Sequence, residues 1–278
     1  MYSKAIAHNS LAHGLSAIAY DYTGVAIGQY NKTSTGTPTT YSASNNALVI
    51  GNGTSTSVLG NAFRVTFEGQ AYGAAAYNST GADYAEFFEW ADGNPNSEDR
   101  VGRFVSLNGD KIRLTTSTDD YIVGVVSANP SVIGDSYNDD WNNKFIVDEW
   151  GRTQYHEVTV PAEYYVIHQP AEYKTDNNGE VVLVKEAYDK RVEVAPERIE
   201  VQPMYNPEWN PSMEYIGREK RKEWSAIGMV GKLLVRDDGT CEIDSYCKSN
   251  DDGIATISES GYRVMKRISR NIIQILIK

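Results

Sequence analysis

Nowhere do about 18 apolar residues run together, so no segment is long enough to cross a bilayer as a helix. The opening MYSKAIAHNS lacks a charged region leading into an apolar stretch, and the chain is expected to be soluble and unprocessed by a signal peptidase. Cysteine is nearly absent. Cys241 and Cys247 stand six apart in CEIDSYC, too few for a disulfide framework and without the companions of a zinc site, so they read as ordinary thiols. Basic charge is in deficit: 26 Lys and Arg against 37 Asp and Glu give a net charge of -11, which disfavours bulk attraction to nucleic acid or anionic lipid. Long stretches of helical period are scarce as well.

What remains points to β structure. Nineteen Tyr and 23 Gly, with abundant Thr, Val and Ile, favour strands joined by tight turns. A length of 278 residues suits one large or two modest domains. Residues 1–72 carry an imperfect repeat: SKAIAHNS, LSAIAYDY, GVAIGQYN and NALVIGNGTS, with Ile6, Ile18, Ile27 and Ile50 alternating with Ala or Gly. Such a unit cannot bury its apolar side alone, so stacked coils of a short β-roll or β-solenoid are expected. The small residues permit close approach of neighbouring chains, and the pattern resembles the head repeats of trimeric bacterial and phage adhesins. FRVTFEGQAYG then reads as a strand and turn, and the small-residue run from 73 to 82 as a junction.

From Asp83 to Lys278 the texture changes. All five Trp lie here, implying a single aromatic-rich core, with strands expected in RVGRFVSL, YIVGVVSA, KFIVDEW, HEVTV, EYYVIHQ and EVVLVKEAY of a compact β-domain. Residues from about 186 to 222, rich in charge and Pro, read as an elaborated loop or arm of the kind that wraps a neighbour in oligomers. The tail GYRVMKRISRNIIQILIK reads as a hairpin turning near Asn271 and closing the sheet.

Three separated motifs, GADYAEFFEWADGNPNSEDRVGRFVSL (81–107), DEWGR (148–152) and REKRKEWSAIGMVGKLLVRDDGTCEIDSYC (218–247), resemble the C-terminal autoproteolytic domain of phage tailspikes and neck appendages, peptidase family G2. The resemblance covers roughly residues 81–278. It implies a mainly β homotrimer on a virion, assembled in the infected cytoplasm, in which the C-terminal domain acts as an intramolecular chaperone. The chain then cuts itself at the junction, with release said to involve ATP. The upstream repeats are then the distal end of a spike that meets the host envelope. Because the repeats begin without a cap, the sequence is expected to be the C-terminal part of a longer chain.

The resemblance assigns an Asp and Glu pair to catalysis, and the matching residues are Asp83 and Glu86. Hydrolysis needs an activated nucleophile on a carbonyl carbon and a proton for the departing nitrogen, and two carboxylates divide that work when their environments separate their pKa values. The expected cut is Ala82–Asp83, with Glu86 as base toward water and Asp83 as acid for its own nitrogen. Burial at a three-fold axis would complete the site. Other readings stand beside this one: Asp83 and Glu86 as a cap on a helix or turn after Ser79 and Thr80, an acyl shift from Ser79 or Thr80, or Glu89 in place of Glu86. His156 and His168 read as strand residues. Arg218, Lys220, Arg221 and Lys222 form the candidate phosphate grip for ATP, without any GxxxxGK[ST] loop. Rival functions are a non-cleaving trimeric fibre tip that binds the host surface, and a peptidase or glycan-degrading enzyme acting on other molecules.

Overall fold

Period-two alternation of branched apolar and polar residues dictates strands. In the computed structural model, which describes residues 2–137 and 141–278, the regular secondary structure is almost wholly strand. The helical structure in the described residues is one 3-10 turn, Arg218–Lys220. The chain divides into two compact units, Met1–Thr80 and Gly81–Lys278.

In the first unit the repeated segments form parallel strands in register. Leu11–Leu15, Val25–Gln29 and Asn46–Asn52 stack so that His13, Ile27 and Ile50 stand in one row and Gly14, Gly28 and Gly51 in the next. Two antiparallel strands, Asn61–Thr66 and Ala71–Gly73, extend the sheet. Asn31, buried, substitutes for a strand amide: its Oδ1 accepts from the Ile18 N–H at 2.7 Å and its Nδ2 donates to the Ile18 carbonyl at 3.0 Å.

The second unit is organised by a long strand, Trp224–Arg236, inside a curled ten-stranded sheet. From Trp224 to Gly231 it pairs with the junction strand, Asp83–Glu89; from Gly231 to Arg236 it pairs with the C-terminal strand, Ile272–Ile277. The tail is a hairpin of Tyr262–Ser269 and Ile272–Ile277 with Asn271 in its turn, as expected. It lies mid-sheet rather than closing it, because Ile273, Ile275 and Ile277 are needed in the core.

The core differs from the aromatic one expected. Two clusters form: one chiefly aliphatic around Phe104, Val235, Val264 and Ile275, with both cysteine thiols inside it, and a smaller one around Trp90, Ile112 and Ile227. Trp90 is the one tryptophan in either cluster, and Trp150 is 78% exposed. Branched aliphatics fill the narrow space over a curled sheet, while Arg100 covers the Trp90 ring at 4.3 Å.

The middle of this unit is not compact either. Among the described residues, Tyr155–Val160 pairs only with Arg198–Pro203, Glu163–Gln169 only with Tyr188–Ala195, and Glu172–Thr175 only with Val181–Lys185, giving a two-stranded ribbon. Most of its apolar side chains are bare, with Val181 71% and Ile199 68% exposed. The segment read as loop or arm contains two strands, Tyr188–Ala195 and Arg198–Pro203, since Val192, Val194, Ile199 and Val201 keep a strand's alternation between the charges. KFIVDEW forms no strand, only isolated bridges from Phe145 to Tyr205 and Val147 to Thr153.

Candidate active site

The junction strand starts at Asp83, and the acidic residues fall on it by parity. In an extended chain successive side chains point to opposite faces. Asp83, Ala85 and Phe87 point into the protein and are buried, whereas Tyr84 and Glu86 share the other face. The helix-cap reading is thereby excluded, because DYAEFFE is strand throughout. Asp83 and Glu86 are not brought together within one chain. Three residues of strand separate them by about 10 Å, more than a glutamate side chain spans.

Asp83 is 6% exposed, and its Oδ2 is buried without a hydrogen-bond partner among the described residues. Burial raises the Asp83 pKa, while hydrogen bonds from the Ser127 hydroxyl and from the residue's own N–H pull it back. That N–H belongs to the nitrogen the expected cut would free. Its carboxyl is therefore biased toward the protonated form at the position where a leaving amine needs a proton. An unpaired buried polar oxygen costs stability and is the kind of strain that sites of chemistry retain.

Close packing holds the bond. The Ala82 carbonyl accepts from the Lys232 N–H at 3.2 Å, and the Asp83 carbonyl accepts from the Ser131 N–H at 2.7 Å. Two glycines of the long strand make room. A Cβ on Gly228 would stand 2.5 Å from Asp83 Oδ2, and one on Gly231, where φ is +120°, would stand 2.3 Å from the Ala82 oxygen. A bulge between Gly228 and Val230 sets the spacing of the pair. Ala82 itself is exposed.

Glu86 is half-buried and accepts from the Tyr84 hydroxyl at 2.5 Å, a bond that raises the Tyr84 pKa. Glu89 is occupied differently: it pairs with Lys111 at 2.6 Å. Ser79 and Thr80 are exposed. His156 and His168 are exposed residues of the ribbon, His168 Nδ1 lying 2.9 Å from Asp189 Oδ1.

Most of the basic cluster already has partners in the protein. Arg218, 3% exposed, pairs with Asp135 and stacks 3.8 Å over the Trp224 ring. Arg221 lies 3.8 Å from Glu223 and faces Trp141, and Lys222 Nζ donates to the Pro95 carbonyl at 2.9 Å. Lys220 is exposed.

The sequence reading missed Ser127, Gly228, Gly231 and the Lys232 N–H. The signal was present in GMVGK, since glycines inside a strand mark close backbone approach. Comparison with known proteins decides the kinship: the Peptidase_G2 family, described as the IMC autoproteolytic cleavage domain, matches residues 35–272. The chain belongs to that family. Among curated Peptidase_G2 relatives, the pre-neck appendage protein of Bacillus phage B103 is 28% identical over 183 residues, 66% of this chain and 17% of that protein. The putative phage-related protein YobO of Bacillus subtilis strain 168 is 27% identical over 196 residues, 69% of this chain and 20% of that protein. The chain thus spans a fifth or less of these relatives. The crystal structure of pre-mature bacteriophage phi29 gene product 12 superposes on 98% of this chain and 32% of its own with a TM-score of 0.66; at 20% identity it shows a shared fold.

Proposed function

We propose that this Peptidase_G2 chain is the C-terminal part of a phage tailspike or appendage that promotes trimerisation as an intramolecular chaperone and then cleaves itself once at Ala82–Asp83. The observation that carries the reading is the buried carboxyl of Asp83, whose Oδ2 has no hydrogen-bond partner among the described residues, on the residue that owns the nitrogen to be released. Water adds to the Ala82 carbonyl carbon as its proton passes to Glu86. The C–N bond then breaks as the Asp83 carboxylic acid protonates the leaving nitrogen, leaving a carboxyl on Ala82 and an α-amine on Asp83. Because Glu86 lies too far along its own strand, the base is supplied by the Glu86 of a neighbouring copy, which ties cleavage to assembly.

Two further features support assembly of copies. The in-register parallel strands of the first unit suit the end of a β-roll stalk. A two-stranded ribbon is at best marginally stable in water, and this one bears apolar residues that a second and third copy would cover. The kinship with phage pre-neck appendage proteins supports a place on the virion, with an upstream spike facing the host envelope. Release assisted by ATP is a separate element of the proposal, with Lys220 the basic residue best exposed to a phosphate.

Denatured intact mass of freshly purified protein, with native mass in parallel, tests this. The expected result is two fragments, the second beginning at Asp83, from a trimer. A single uncut chain in a stable trimer would instead favour the permanent fibre tip.

A further inference from the structure

The contacts of the Ala82 carbonyl assign a catalytic part to a group that carries no side chain: we infer that the Lys232 backbone N–H is the oxyanion donor for self-cleavage, and that Gly231 is a glycine in order to admit it. This inference rests on the Ala82–Asp83 cut proposed above. When water adds to Ala82, the carbonyl oxygen becomes an alkoxide, and when the tetrahedral carbon collapses and expels the Asp83 nitrogen, the carbonyl double bond is restored. A donor aimed at that oxygen stabilises the charged state between more than the carbonyl on either side of it.

The geometry fits this role. The Lys232 N–H meets the Ala82 oxygen at 3.2 Å, long for an amide bond, whereas effective oxyanion donors stand about 2.7–3.1 Å from the developing charge. The bond thus has room to tighten as the oxygen moves out of the carbonyl plane, so that it grows stronger toward the transition state. Gly231 leaves that movement unobstructed: a Cβ there would stand 2.3 Å from the oxygen and 3.2 Å from the Ala82 carbonyl carbon. On the far side of the bond, the Ser131 N–H holds the Asp83 carbonyl, so the peptide cannot swing away. The long strand changes partner at this same residue, from the junction strand to the C-terminal strand. Correct folding of the last strand therefore aligns the donor, and the peptide is readied only in a completed domain.

Replacing the Gly231–Lys232 amide by an ester, through incorporation of an α-hydroxy analogue of lysine, removes this one N–H and keeps the shape. A control ester at Glu89–Trp90 deletes the Trp90 N–H that donates to the Glu223 carbonyl at 2.7 Å, near the other end of the same pairing. Cleavage is read per assembled molecule by native mass, so any misfolded fraction does not enter the rate. The expected result is a fall of about 10²–10³-fold for the Lys232 ester with little change for the control. A Lys232 ester that cleaves within about threefold of the control overturns the inference. Asp83→Asn and Glu86→Gln measured alongside separate the two ideas: their cleaving at the wild-type rate would sink the acid–base reading, whereas their failure beside an active Lys232 ester would sink the oxyanion donor alone.

Discussion

Glu86→Gln is expected to leave the chain uncut. The substitution keeps the size of the side chain and its capacity to accept from the Tyr84 hydroxyl, so folding and assembly are retained, but an amide cannot take a proton from water. Positioned general bases contribute about 10²–10⁴-fold, and a single-turnover cut slowed by that factor accumulates as full-length protein. Gel electrophoresis of a time course after denaturation reads the loss directly. Glu89→Gln serves as the contrast: it breaks the half-buried pair with Lys111 and is expected to cut at nearly the wild-type rate. Normal cutting by Glu86→Gln with slow cutting by Glu89→Gln would exchange the two roles.

Asp83→Asn is expected to trade activity for stability. Asp83 is buried with one oxygen unpartnered among the described residues, and its pKa is raised from its ordinary value, first by desolvation. For a folded-state value above the unfolded one, the stabilising contribution is complete below the unfolded pKa and is lost as pH rises through the folded pKa. Wherever the carboxyl is ionised it is thus a burden on the fold. The amide removes it, so Asp83→Asn is expected to melt higher than an uncut Glu86→Gln reference at pH 7 and to lose that advantage in acid. It also removes the proposed proton donor, so cleavage is expected to fall by about 10²–10⁴-fold. In the wild type, the cleavage rate is expected to decline as pH rises through the Asp83 value, since only the protonated acid serves the leaving nitrogen. A rate that climbs steadily with pH would instead point to attack limited by deprotonation.

Much of this was legible in the sequence because it depended on local pattern. The alternation in RVMKRIS and IIQILI yields the terminal hairpin, and three spaced motifs yield the family. What local pattern does not reveal is partnership. EYYVIHQ and VVLVK are strands by composition whether they sit in a core or on a bare ribbon, and only the pairing distinguishes the two. Trp150 reads as core by its size, yet sits in a turn held by Asp148, whose carboxyl accepts from the Trp150 and Arg152 N–H groups. At the site, the motif supplied Asp83 and Glu86, but the strand's parity, which turns them to opposite faces, required knowing that DYAEFFE is a strand and not the start of a helix. The glycines of GMVGK acquire meaning only once the Ala82–Asp83 peptide is seen lying against them.

That parity sets the central claim, a site shared between copies, and co-assembly of Asp83→Asn chains with Glu86→Gln chains tests it most directly. Neither chain alone holds an intact pair. In mixed trimers, a Glu86→Gln chain keeps its own Asp83 junction and receives Glu86 from an Asp83→Asn neighbour. With the two chains carrying different mass labels, the account predicts that cleavage returns in the mixed trimers and is confined to the Glu86→Gln chains. No cleavage in mixed trimers, under conditions where wild-type trimers cut to completion, would show that both carboxyls must come from one chain and would contradict it.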